Sequence, residues 1–184
     1  MDKNWIERWL YNGHVDHKFH MYQTILDYLQ SPPINLLDIG CGLAFESEYF
    51  QKEHGTKIYL LEGDTDSTKN NTRAVSYGHL DNFKFYNKIP DLIKSFDERQ
   101  LKYNFVDANA INIPEDVKFD LIYSNQSCGY HYPVNTYRNL ILKHSHSHTK
   151  ILMDLRKKMT HKDIKIIDIV FESAKYIKAE IEFR

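Results

Sequence analysis

The stretch 35–44 reads N-L-L-D-I-G-C-G-L-A. An apolar run closes on an acid, Asp38, and two glycines follow, Gly40 and Gly42. A segment with helical spacing then runs from about Ala44 to Glu53. Strand, glycine turn and helix in that order predict an open α/β sheet, with the turn at the carboxyl end of a strand, where ligands bind. Glycine at both turn positions permits positive φ and leaves room where a Cβ would stand. The dinucleotide fingerprint G-x-G-x-x-G needs a third glycine at position 45, and that residue is Phe45. A nicotinamide oxidoreductase is therefore disfavoured.

The remaining elements follow from periodicity and breakers. Residues 2–30 predict two helical pieces, with Trp5, Ile6, Trp9 and Leu10 on one face and Met21, Tyr22, Ile25, Leu26 and Leu29 on another, broken at Gly13 and ended by Pro32-Pro33. Strands are expected at 57–61, 103–106, 119–124 and 150–154, and helices at 90–99 and after Pro133. Gly55 is the expected cap of the helix after the first turn. The tail predicts a short helix near 160–165, then strands at 166–173 and 176–183. Asp64 to Lys102 is long for a crossover; it shapes a substrate pocket or is a disordered insert.

With 184 residues, 42% apolar and 27% charged, one soluble domain with a sizeable core is expected. The formal net charge of -1 argues against a surface built for nucleic-acid backbone. The two cysteines, Cys41 and Cys128, form no C-x-x-C pair, which suits a reducing, cytoplasmic setting. No apolar run reaches a membrane span, and the first residues lack the pattern of an export signal. His14, His17 and His20 recur at spacing three; a polar helix face is favoured over a metal site. His144, His146 and His148 alternate with serine in what reads as a solvated turn, so no metal is expected.

Read as D-x-G-x-G-x-G, with Ala44 in the third glycine slot, the first turn resembles motif I of the class I S-adenosylmethionine-dependent methyltransferases. The resemblance implies a Rossmann-like fold: a mostly parallel seven-stranded sheet with a C-terminal antiparallel hairpin and helices on both faces. Residues 1–33 would form a helical cap within the same domain, and 34–184 the catalytic domain. Asp38, Gly40 and Gly42 would hold the cofactor, S-adenosylmethionine. Glu62 lies 22 positions after Gly40, where an acid accepts the ribose hydroxyls. Asp64 is placed to share that task, although Glu-Gly-Asp is also an ordinary turn. At the end of the third strand, Asp107 and Ala108 are candidates for the adenine contact, or simply begin a turn. Ser124 closes the fourth strand and joins the cofactor set.

The sequence after that strand, S-N-Q-S-C-G-Y-H-Y-P-V-N-T-Y, is similar to S-x-x-S-W-G-F-H-Y-P-x-x-T-Y of small-molecule O-methyltransferases assigned to sugars. F-Y-N at 85–87 and D-L-R-K at 154–157 are similar to segments of the same group. Cys128 in the tryptophan slot and Asn125-Gln126 in apolar slots depart from it. The resemblance implies O-methylation of a small acceptor, a sugar or sugar nucleotide, with His131 as general base because imidazole titrates near neutrality. A structural histidine at the start of the following helix is the alternative. Tyr86, Asn87, Tyr130 and Arg156 become acceptor-binding candidates; Arg156 suits a phosphate or carboxylate, or a surface ion pair. A nucleic-acid methyltransferase would carry a D/N-P-P-Y-type motif where S-N-Q-S stands. A silent cofactor-fold partner protein is the third reading.

Overall fold

The structure is a computed structural model and describes residues 14–63 and 87–184. The first expected helical piece, Asp64, Tyr86 and most of the long crossover lie outside the described residues.

The described residues form a sheet of seven strands: β1 Asn35–Ile39, β2 Lys57–Glu62, β3 Tyr103–Asp107, β4 Leu121–Ser124, β5 Lys150–Arg156, β6 Ile164–Glu172 and β7 Tyr176–Phe183. Their order is β3-β2-β1-β4-β5-β7-β6. The first five pair in parallel, and β7 runs antiparallel to both β5 and β6. The order reverses direction between β1 and β4, which puts the ligand crevice of such a sheet at their carboxyl ends. The helices are α1 His14–Leu29, α2 Phe45–His54, α3 Ile89–Glu98 and α4 Arg138–His144.

Alternation along the strands sends side chains to two separate cores. Leu36, Ile58, Leu60, Leu121, Tyr123 and Leu152 meet α1, α2 and α3 on one face. On the other face Leu37, Leu61, Ile122 and Met153 meet Tyr137 and Ile141. The parallel strands are therefore buried on both sides and read as apolar runs. Tyr22 of α1 stacks on Tyr49 and sets its edge to Phe50, both of α2.

Local chemistry sets the boundaries. Gly55, at φ 70°, ends α2 by donating its N–H to the Gln51 carbonyl, as its cap position requires. Pro90 sits in the first turn of α3. The helix expected near 160–165 does not form; β6 begins at Ile164, whose backbone pairs with Phe183. The ladder with β7 takes the groups that a helix would use. β5 runs on to Arg156 for the same reason, because Leu155 and Arg156 pair with Ile177 and Tyr176. β4 starts only at Leu121, since the N–H of Phe119 goes to the His144 carbonyl rather than into a ladder. After Pro133 the chain makes a 3-10 turn, Val134–Tyr137, before α4.

Candidate functional site

Gly40, Gly42 and Ala44 all lie in the left-handed region, at φ 71°, 51° and 54°. The third glycine slot of the motif thus has a backbone that favours glycine, and Ala44 fills it at some conformational cost. The N–H groups of Gly40 and Cys41 both reach the Leu61 carbonyl, tying the bend to β2. Gly40 and Gly42 face different surroundings. Among the described residues a Cβ on Gly42 would meet nothing within 4 Å, whereas one on Gly40 would run into Ser127 and approach the Tyr132 hydroxyl to 3.3 Å. The bend is open at Gly42 and closed at Gly40 by the loop after β4.

Beneath the bend, Asp38 is buried. Its Oδ2 accepts the Ser47 hydroxyl at 2.7 Å and the Tyr123 hydroxyl at 2.9 Å. Burial pushes its pKa up to about 7, against the Ser47 and Tyr123 hydrogen bonds that favour the charged form. Asp38 therefore braces the start of α2 against β1 and β4. Lys18 of α1 pairs with Glu46 at 2.7 Å, and its charge acts on both Asp38 and Asp154.

Glu62 is buried at the end of β2. Its Oε2 accepts the Gly42 N–H at 3.0 Å and the Asn87 amide at 3.2 Å, and its Oε1 accepts the Gly63 N–H at 3.1 Å. Burial raises its pKa, opposed by those three hydrogen bonds. Asp107 is the register partner of Glu62 on β3, and the Ala108 N–H reaches the Glu62 carbonyl. Asp107 also holds its own turn, since its Oδ1 accepts from the Asn109 N–H and side-chain amide.

The Ser124 hydroxyl clamps the crevice. It donates to the Ile39 carbonyl at 2.7 Å and accepts the Cys128 N–H at 2.8 Å, so it joins the ends of β1 and β4. The loop beyond folds tightly: the N–H groups of Tyr130 and His131 both reach the Ser127 carbonyl. Its base rests on a buried ion pair. Asp154 accepts from Lys178 at 2.6 Å and from the Gln126 N–H at 2.9 Å, and Lys178 also reaches Asn125.

The Tyr130 ring meets the His131 ring edge-on at 4.9 Å between centroids, and Tyr176 at 5.8 Å. The Arg156 guanidinium lies over Tyr130, 5.3 Å from its centroid. His131 is half-buried, and burial together with the positive field of Arg156 lowers its pKa. That shift favours the neutral imidazole, the form a base requires.

The expected residues thus fall into two clusters, Gly40, Gly42, Glu62, Asp107 and Ala108 in one and Tyr130, His131 and Arg156 in the other. Asp38 and Ser124 serve as braces beneath and beside the bend. Asn87, expected with the acceptor, joins Glu62. Sequence reasoning missed Ser47, Ser127, Tyr132 and Lys178. The signal for Ser127 and Tyr132 lay in the same S-C-G-Y-H-Y run that drew attention to His131.

Glu62 accepts from Gly42, the open position of the bend, and from Asn87, whose Oδ1 atom is buried with no hydrogen-bond partner among the described residues. That chemistry fits the hydroxyl donors of a ribose.

No protein-family model matches this chain, and no curated protein does either. Solved structures do. A mutant of MtNAS in complex with S-adenosylmethionine aligns with a TM-score of 0.63 at 11% identity, covering 100% of this chain and 67% of the other. A methyltransferase from Pyrococcus furiosus aligns at 0.57 and 15% identity, covering 90% and 82%. The plantazolicin methyltransferase BpumL in complex with a triazolic desmethylPZN analog and SAH aligns at 0.52 and 16%, covering 76% and 46%. The chain spans just under half the length of that last protein. At these identities the similarity establishes the fold they share: a Rossmann-like mixed sheet with its antiparallel C-terminal hairpin.

Proposed function

We propose that this chain transfers a methyl group from S-adenosylmethionine to a hydroxyl of a small acceptor of the sugar or sugar-nucleotide class. The observation that carries the reading is the bond between Glu62 and the Gly42 N–H, which sets a buried carboxylate, suited to accept a diol, against the open half of a glycine bend. Solved neighbours holding SAH or S-adenosylmethionine support the same donor.

Glu62, Asn87 and the bend would hold the nucleoside, with Asp107 beside the base. When bound, the donor supplies a methyl on a positively charged sulfur. Displacement there is in line, so the protein's main task is to position the acceptor oxygen. Tyr130 and Arg156 would orient the acceptor, the guanidinium suiting a phosphate or carboxylate. His131 would take the hydroxyl proton as the new C–O bond forms and the C–S bond breaks, the sulfur keeping the electron pair.

Calorimetry with S-adenosylhomocysteine and with NAD tests the donor; binding is expected for the first alone. A panel of sugar nucleotides and phenols, read by release of S-adenosylhomocysteine, tests the acceptor. Binding of NAD but not S-adenosylhomocysteine would overturn the reading. Short DNA or RNA serving as acceptor would replace its small-molecule part.

A further inference from the structure

Asn87 stands just ahead of α3 and is 2% exposed. Its neighbour Glu62 presents only acceptors, so the Asn87 amide nitrogen must be the atom turned toward it, at 3.2 Å. That choice leaves Oδ1 buried and, among the described residues, without a partner. A buried acceptor lacking a donor is costly, so an atom in this state calls for one. Glu62 is nearly saturated. A carboxylate offers roughly four lone-pair sites, and the N–H groups of Gly42, Gly63 and Asn87 each take one.

One acceptor position on Glu62 and the orphaned oxygen of Asn87 therefore remain, on touching side chains. A vicinal diol carries two O–H donors on adjacent carbons and matches that pair. We propose that Asn87 accepts one ribose hydroxyl of the bound donor while Glu62 accepts the other, so that both hydroxyls are read and a deoxyribose is rejected. This rests on the S-adenosylmethionine reading and assigns Asn87 to the donor rather than to the acceptor.

The test is calorimetry of the full chain and of Asn87→Ala and Asn87→Ser with S-adenosylhomocysteine and its 2′-deoxy and 3′-deoxy analogues. Wild-type protein is expected to favour the full diol over each analogue by roughly tenfold, the worth of a buried hydrogen bond. Asn87→Ala is expected to lose about tenfold for S-adenosylhomocysteine, yet to bind one of the two analogues as wild type does. Asn87→Ser should lie between them. An equal loss on all three ligands, or none on any, would overturn the assignment. If neither variant folds, wild-type indifference to one of the two hydroxyls overturns it as well. Wild-type protein that takes no S-adenosylhomocysteine would sink the donor reading and this one with it, an outcome visible before any variant is made.

Discussion

Gly40 and Ser127 stand closer than any side chain on residue 40 would allow. A Cβ there would overlap Ser127 Oγ and lie 2.5 Å from Ser127 Cβ. This glycine is needed for the docking of the loop after β4 as much as for the bend. Gly40→Ala is expected to cost roughly 2–4 kcal/mol, from the clash plus a left-handed backbone. Adding Ser127→Gly should restore the steric part and leave the backbone part. Gly42→Ala meets no neighbour among the described residues, so urea unfolding should show only about 1 kcal/mol of backbone strain. Equal losses for the two alanine variants would contradict the asymmetry.

Asp38 makes stability depend on pH in an unusual direction. Its folded pKa of about 7 lies above the value of the unfolded chain, about 3.9. Between those values the folded state binds a proton that the unfolded state does not. This contribution is therefore full below about pH 4 and is lost as pH rises through about 7, by up to roughly 1.4 kcal/mol per unit. Urea unfolding at several pH values should show wild type losing ground to Asp38→Asn across that window and not beyond it. Parallel curves would mean that Asp38 is ionised in the fold.

How much of this was legible in the sequence follows from the range of the interactions. The bend and Glu62 come from patterns local in sequence: an apolar run, two glycines, an acid 22 residues later. The parallel sheet with its final hairpin came from the family resemblance, and the order of its strands from the structure alone. The helix misread near 160–165 was decided by pairing with β7, a contact invisible to local spacing. Ser127 against Gly40 and Asn87 against Glu62 are likewise contacts across the fold. Motif reasoning placed Asp38 with the ligand; its bonds to Ser47 and Tyr123 join residues far apart in sequence, which motif spacing does not reveal.

The lowered pKa of His131 has one removable cause. Burial is the larger and Arg156 the second. An NMR titration of the imidazole should put wild-type His131 below the ordinary 6.5. Arg156→Gln removes a like charge from the protonated form, so the pKa should rise and the acid limb of any pH–rate profile should move to higher pH. A titration unmoved by Arg156→Gln would show that the guanidinium field does not reach the ring. His131→Ala should lose turnover while keeping affinity for S-adenosylhomocysteine; loss of both would make the residue structural.

The loop that carries His131 is anchored by Lys178, which is fully buried and paired with Asp154. Two desolvated charges in contact stabilise little by themselves, but removing one strands the other. Lys178→Met leaves Asp154, among the described residues, with the Gln126 N–H as its hydrogen-bond donor and the more distant Lys18 as its cation, and frees Asn125 from its cation. Its cost is expected to be about 3–5 kcal/mol. Asp154→Asn in the same background removes the stranded charge while keeping an acceptor for Gln126, and should recover most of that loss. The double variant should then separate stability from loop placement. If the ion pair also positions the loop, the variant folds near wild-type stability but shows altered His131 chemical shifts, with its titration moved toward the exposed value. A single variant within about 0.5 kcal/mol of wild type would show that the interior there admits water and that the pair is not an anchor.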